Sequence, residues 1–98
     1  MSSLTRPDAL GLASLLEKLL ERLPYSSRVG VAWRTRTAMD ALNAYAAGRT
    51  LERQQVVTAL VFLELELRQI GRTNEASGED SLERERLWRE IDVLAATL

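Results

Sequence analysis

The sequence predicts an all-α protein, organised as a four-helix up-down-up-down bundle in a single domain over residues 1–98. Apolar residues recur at spacings of three and four in four separate segments, which is the period of an amphipathic helix. Leucine and alanine fill most of these positions, and no segment resembles a strand with a partner to pair with. A chain of this length buries roughly 65% of its unfolded surface, which is enough for one modest core.

The first helix is predicted over residues 7–23. Pro7 suits a first helical position, and Asp8 beside it favours a helix N-terminus. The apolar face is wide and contains Ala9, Leu12, Ala13, Leu15, Leu16, Leu19, Leu20 and Leu23. The opposite face carries charges of both signs, whereas a helix that lies on a membrane surface has a more basic face. The pattern is therefore typical of a helix inside a bundle.

The second helix is predicted over residues 28–47, after Pro24 has broken the first. Ser26 and Ser27 offer an N-cap, and Gly48 suits the position just past the C-terminus. The core face contains Val31, Thr35, Ala38, Ala41, Leu42, Tyr45 and Ala46. Its small residues favour a close approach of a neighbouring helix.

The third helix, predicted over residues 51–70, is the most apolar part of the chain. Thr50 is expected to cap it, and the short link before it makes the second and third helices an antiparallel hairpin. Its core stripe contains Val56, Ala59, Leu60, Leu63, Leu67 and Ile70. We expect this helix near the centre of the bundle, ended by Gly71, with residues 71–80 as a mobile loop.

A second apolar line lies on the other side of the third helix. Val57, Val61 and Leu65 follow one another at intervals of four, and Phe62 lies nearby. Apolar surface that a four-helix monomer leaves uncovered is typical of an interface. We therefore predict that these residues contact another protein or a second copy of the chain. The alternative is that the other three helices surround this helix and bury the line.

Trp33 and Arg36 are further candidates for contact with a partner, because large aromatic residues and arginine are enriched where binding energy concentrates. Both lie opposite the core face of the second helix. Trp33 is expected either to anchor a partner or to pack beneath an arginine stem at the rim of the bundle.

Asp80 and Glu83 have the form of a capping box that opens the fourth helix, predicted over residues 81–97. Its inward face contains Leu87, Trp88, Ile91, Leu94, Ala95 and Leu98. Glu85 and Arg89 are expected to form a favourable pair on the outside.

The chain contains no cysteine and no histidine. This excludes thiol nucleophiles, disulfides, zinc-finger ligation and imidazole chemistry, so we expect no catalytic residue, no metal and no cofactor. No apolar run is long enough to span a bilayer, and the first residues lack the features of a signal peptide. We expect a cytoplasmic protein with no membrane partner.

The formal net charge of −1 and the pI near 5.5 argue against the basic footprint of a nucleic-acid-binding protein. The charge is unevenly distributed, at net +3 in residues 1–53 and net −4 in residues 54–98. This difference indicates complementary helix surfaces inside one bundle, or antiparallel self-association.

Together these features favour a small non-enzymatic protein–protein interaction module, such as a bacterial adaptor, regulator, chaperone or inhibitor, that forms a homodimer. The first alternative is a DNA-binding transcriptional regulator, which the basic first half favours. The spacing of the residues argues against this alternative. If Gly48 is the turn glycine of a helix-turn-helix, then Gln54 occupies the position that this motif fills with an apolar residue.

A further alternative comes from the tail LWREIDVLAATL, residues 87–98, which resembles the opening helix of the helical chorismate mutases. The resemblance implies a cofactor-free, all-helical enzyme in which arginine and lysine side chains clamp a dicarboxylate. The clamp residues it implies here are Arg22, Arg28, Arg34 and Arg53. The chain departs from that family because the segment lies at the opposite end, lysine is nearly absent and Pro24 interrupts the helix.

Overall fold

A computed structural model describes residues 4–23, 25–73 and 78–98, with the side chains of residues 4–23, 31–69 and 82–98. Within these ranges the chain forms four α-helices and no strand, which confirms the all-α prediction. The helices are α1 (Arg6–Arg22), α2 (Tyr25–Ala46), α3 (Arg53–Thr73) and α4 (Gly78–Ala95).

α1 begins within one residue of the predicted start, and Thr5 forms its N-cap. Pro7 lies in the first turn with Asp8, and the Thr5 hydroxyl accepts a hydrogen bond of 3.1 Å from the Asp8 N–H. This bond satisfies a donor that the first turn leaves without a helical partner. At the other end Leu23 is extended, with φ −77° and ψ 145°, as proline requires of the residue before it.

Gly48 ends α2 as predicted. Its φ of +105° lies in the left-handed region, where a side chain would be strained. The Arg49 N–H donates to the Ala44 carbonyl, and the Gly48 N–H donates to the Tyr45 carbonyl, each at 3.0 Å. These two bonds form a Schellman motif that satisfies the last carbonyls of the helix.

The predicted starts of the other three helices are wrong. α2 begins at Tyr25, so the expected cap at Ser26 and Ser27 lies inside the helix. α3 begins at Arg53, three residues after the expected cap at Thr50. α4 begins at Gly78, so Asp80 lies within it and does not cap it. A capping residue contributes only about 1 kcal/mol, so a capping motif alone is a weak predictor of where a helix begins.

The predicted loop at residues 71–80 is also too long. Gly71 does not end α3, which continues to Thr73, and α4 already includes residues 78–80. A single glycine costs a helix about 1 kcal/mol, which does not terminate it unless the backbone must turn there. Residues 74–77 lie outside the described part of the chain.

α1 and α2 are the inner pair of helices. In the described part of the chain, close backbone contacts join α1 to α2, α2 to α3 and α1 to α4, and none joins α3 to α4. The prediction that the third helix lies near the centre is therefore wrong. The buried residues confirm most of the predicted core and include Ala9, Leu12, Leu16, Leu19, Val31, Ala38, Leu42, Val56, Ala59, Leu63, Leu87 and Ile91. The side chain of Ile70, predicted for the core, lies outside the described side chains.

Polar contacts hold the start of α1 against the ends of two other helices. The Leu4 N–H donates to the Thr97 carbonyl at 3.2 Å, and the Tyr45 hydroxyl donates to the Leu4 carbonyl at 2.7 Å. Arg6 donates to the Tyr45 carbonyl, and its guanidinium lies 4.7 Å from the centre of the Tyr45 ring. The first residues thereby contact the C-terminal ends of both α2 and α4.

Candidate interaction surface

The outer side of α3 carries apolar side chains that the other described helices leave exposed. The exposed fractions are 38% for Val57, 51% for Val61, 56% for Leu65 and 38% for Phe62. Trp33 of α2 is 60% exposed. We call Val57, Val61, Phe62 and Leu65, together with Trp33 and Arg34, the α3 surface.

Arg34 joins the two aromatic side chains of the α3 surface. Its guanidinium carbon lies 4.6 Å from the centre of the Trp33 ring and 4.1 Å from the centre of the Phe62 ring. Both distances permit cation–π attraction. Trp33 thus packs against an arginine and remains mostly exposed, but the arginine is Arg34 and not Arg36. Consecutive residues point to different faces of a helix, so the helical pattern gives no sign of this pairing.

Arg36 lies apart from the α3 surface. It lines a pocket of about 450 Å³ between α1 and α2 together with Glu17, Glu21 and Asp40. Five of the six residues predicted to bind a partner therefore belong to one region, and Arg36 belongs to another.

The space between α3 and α4 is an open groove with two ends. The apolar end, about 220 Å³ in volume, is lined by Val57, Leu60, Val61, Glu64, Trp88, Ile91, Asp92, Ala95 and Leu98. The arginine end, about 440 Å³ in volume, is lined by Glu64, Leu67, Arg68, Arg84, Glu85, Trp88 and Arg89. Glu64 and Trp88 line both volumes, so the two lie side by side, and we call them together the α3–α4 groove. Two of the three residues of the apolar line on α3, Val57 and Val61, therefore face the groove.

Ion pairs within single helices border the arginine end of the groove. Arg68 pairs with Glu64 at 2.6 Å, and Arg89 pairs with Glu85 at 2.7 Å. The second pair is the one that the sequence predicts. All four side chains are substantially exposed, so each pair contributes a few tenths of a kcal/mol at most, by the usual scale of about 0.3–0.5 kcal/mol.

Arg84 is a candidate functional residue that the analysis of the sequence missed. It is only 7% exposed and lines the arginine end of the groove. The signal is present in the sequence, since Arg84 lies three residues before Leu87 and seven before Ile91, in the middle of the apolar stripe of α4. An arginine at such a position is either a structural contact or part of a site.

The four arginines that the mutase resemblance implies as a clamp lie on different parts of the described chain. Arg22 is exposed at the end of α1, and Arg53 is exposed at the start of α3. Arg34 packs between Trp33 and Phe62. The side chain of Arg28 lies outside the described side chains.

Within the described residues, no group of three or more carboxylates is placed to hold a metal ion. None of the described helices combines the length and the apolar character needed to cross a bilayer. No protein-family model, curated protein or solved structure matches the chain significantly.

Proposed function

We propose that this chain is a non-enzymatic helical interaction module that acts as a homodimer through the α3 surface. The observation that carries the proposal is the group of exposed apolar side chains Val57, Val61, Phe62 and Leu65 on one side of α3, next to the exposed Trp33. Single exposed apolar residues are normal on a protein surface, whereas a contiguous group of large ones marks a contact surface.

The proposal takes the four helices to run up, down, up and down. It is supported by the contacts of Leu4 with Tyr45 and Thr97, which bring the start of α1 to the ends of α2 and α4. In that arrangement α3 has one close helical neighbour among the described helices, and its outer side is left for a partner.

A second copy of the chain is the partner that we propose. A twofold interface pairs each exposed residue with the same surface on the partner, so the apolar side chains of one copy would cover those of the other.

The test is sedimentation equilibrium on the wild type and on Val61→Glu. We expect a wild-type mass near twice 11.0 kDa. A glutamate at the middle of the ridge would be buried without a partner in the dimer, which should raise the dissociation constant about a hundredfold or more. The variant should remain helical by circular dichroism, because Val61 is half-exposed in the single chain.

Val93→Glu is the matched control, since Val93 is an exposed valine on α4 outside both the groove and the α3 surface. It should dimerise like the wild type. A wild type that stays monomeric at every concentration would overturn the homodimer. Unfolding of the Val61→Glu chain would instead show that Val61 belongs to the core.

A further inference from the structure

The guanidinium of Arg84 has hydrogen-bonding capacity that the described residues do not use. Arginine has five N–H donors, and Arg84 makes one hydrogen bond, a long one of 3.4 Å from Nη1 to the Arg22 carbonyl at the end of α1. No carboxylate among the described side chains, which exclude those of residues 70–81, lies within ion-pair distance of it. Arg84 is 7% exposed, and it lines the arginine end of the groove.

A buried charge without a counter-charge is costly, since the group loses its hydration and gains no partner. The other two arginines at this end of the groove differ from Arg84, because Arg68 and Arg89 are exposed and each has a glutamate partner. One carbonyl from the end of α1 compensates part of the cost, because helix C-termini attract positive charge. The remaining donors of Arg84 have no anionic partner among the described side chains.

The cavity beside Arg84 combines this charge with apolar walls. Its volume of about 440 Å³ falls in the range of small-molecule sites, and Leu67 and Trp88 supply apolar surface. Three arginines and two glutamates line it, which leaves a net charge of +1. Beyond Trp88 the cavity opens into the apolar end of the groove, where no positively charged residue is among those that line it.

We propose that the arginine end of the α3–α4 groove binds a small organic carboxylate with an apolar body. The carboxylate accepts hydrogen bonds from the Arg84 guanidinium, whose planar fork matches two carboxylate oxygens. The apolar body lies against Leu67 and Trp88 and extends toward the apolar end of the groove. The residues that line the arginine end are not part of the α3 surface, so carboxylate binding there can be tested separately from the proposed dimer.

The probe for this site is octanoate, titrated by isothermal calorimetry into the wild type, Arg84→Met and Arg86→Met. Methionine keeps most of the aliphatic length of Arg84 and removes the charge. Arg86 is the matched control because it is an exposed arginine on the same helix. Two further probes separate the contribution of the charge from that of the apolar body. 1-Octanol has the apolar body without the charge, and inorganic phosphate has the charge without the apolar body.

We expect octanoate to bind the wild type and Arg86→Met equally, and to bind Arg84→Met roughly ten- to a hundredfold more weakly, the scale of hydrogen bonds to a charged group. Octanol and phosphate should each bind more weakly than octanoate. Thermal unfolding followed by circular dichroism checks that Arg84→Met folds. Arg84→Lys, which keeps the charge without the fork, gives a second variant and should show an intermediate loss of affinity.

The proposal is overturned if octanoate fails to bind the wild type, or binds Arg84→Met as tightly. Failure of binding together with a less stable Arg84→Met would show that Arg84 serves only to cap the end of α1. Phosphate binding as tight as that of octanoate would also overturn it, since the apolar walls would then contribute nothing.

Discussion

The inner helices α1 and α2 and the outer helices α3 and α4 use similar residues in different ways. Leucines and alanines of α1 and α2 are buried against each other, among them Leu16, Leu42 and Ala38. On α3 and α4 many large apolar residues are exposed or only partly buried, among them Val61, Leu65 and Trp88. Helices α1 and α2 contribute most of the core, whereas α3 and α4 each bury one face and leave a groove between them.

The difference arises from side-chain size where the helices meet. Small buried residues such as Ala9, Ala13 and Ala38 permit a close approach of helix backbones. Longer side chains such as Leu60, Leu67 and Trp88 lie between α3 and α4, where the backbones do not approach closely. Apolar composition alone therefore does not determine which helices close a core.

The largest effect that distinguishes the two regions is expected from leucine-to-alanine substitutions. Leu16→Ala on α1 should lower the free energy of unfolding by about 3 kcal/mol, because it leaves a cavity in a fully buried position. Leu82→Ala on α4 removes the same atoms from an exposed site, and it should change the free energy of unfolding by less than about 0.5 kcal/mol. Urea denaturation of both variants measures the difference. Equal losses would mean that Leu82 is buried in solution, contrary to its exposure in this structure.

The helical period of the sequence predicts which faces are buried, but not the distance between helices. It identifies the core faces of α1 and α2, and it separates the exposed Val57, Val61 and Leu65 from the buried side of α3. The groove depends on how the four helices are arranged, and the contact of Arg34 with Phe62 joins residues 28 positions apart in the chain. Neither is encoded in a local pattern. Arg84 is the exception, because its position in an apolar stripe is readable from the sequence.

A smaller and opposite effect is expected at Thr35, a fully buried residue of the inner pair. Its hydroxyl oxygen has no hydrogen-bond partner within the described structure. Thr35→Val keeps the shape and removes the unpaired hydroxyl, so the free energy of unfolding should rise by about 1 kcal/mol. The midpoint of urea denaturation should increase accordingly.

Thr37→Val is the control for that substitution, because the Thr37 hydroxyl donates to the Trp33 carbonyl at 2.8 Å. Loss of this hydrogen bond should lower the free energy of unfolding by at most about 0.5 kcal/mol, because the site is partly exposed. If Thr35→Val is instead the destabilising member of the pair, the Thr35 hydroxyl has a partner in solution, and the inner pair of helices is hydrated.

The smallest effect is expected at the ion pairs that border the groove. Glu85 and Arg89 lie 2.7 Å apart, yet 58% and 76% of their side chains are exposed, so water and salt screen their attraction. Glu85→Gln should lower the free energy of unfolding by about 0.3 kcal/mol at low salt and by less at high salt. Glu83→Gln is the matched control, because Glu83 lies 3.9 Å from Arg86 and should cost still less. A salt-independent loss above about 1 kcal/mol at Glu85 would show that the border of the groove, and not only the leucine core, stabilises α4.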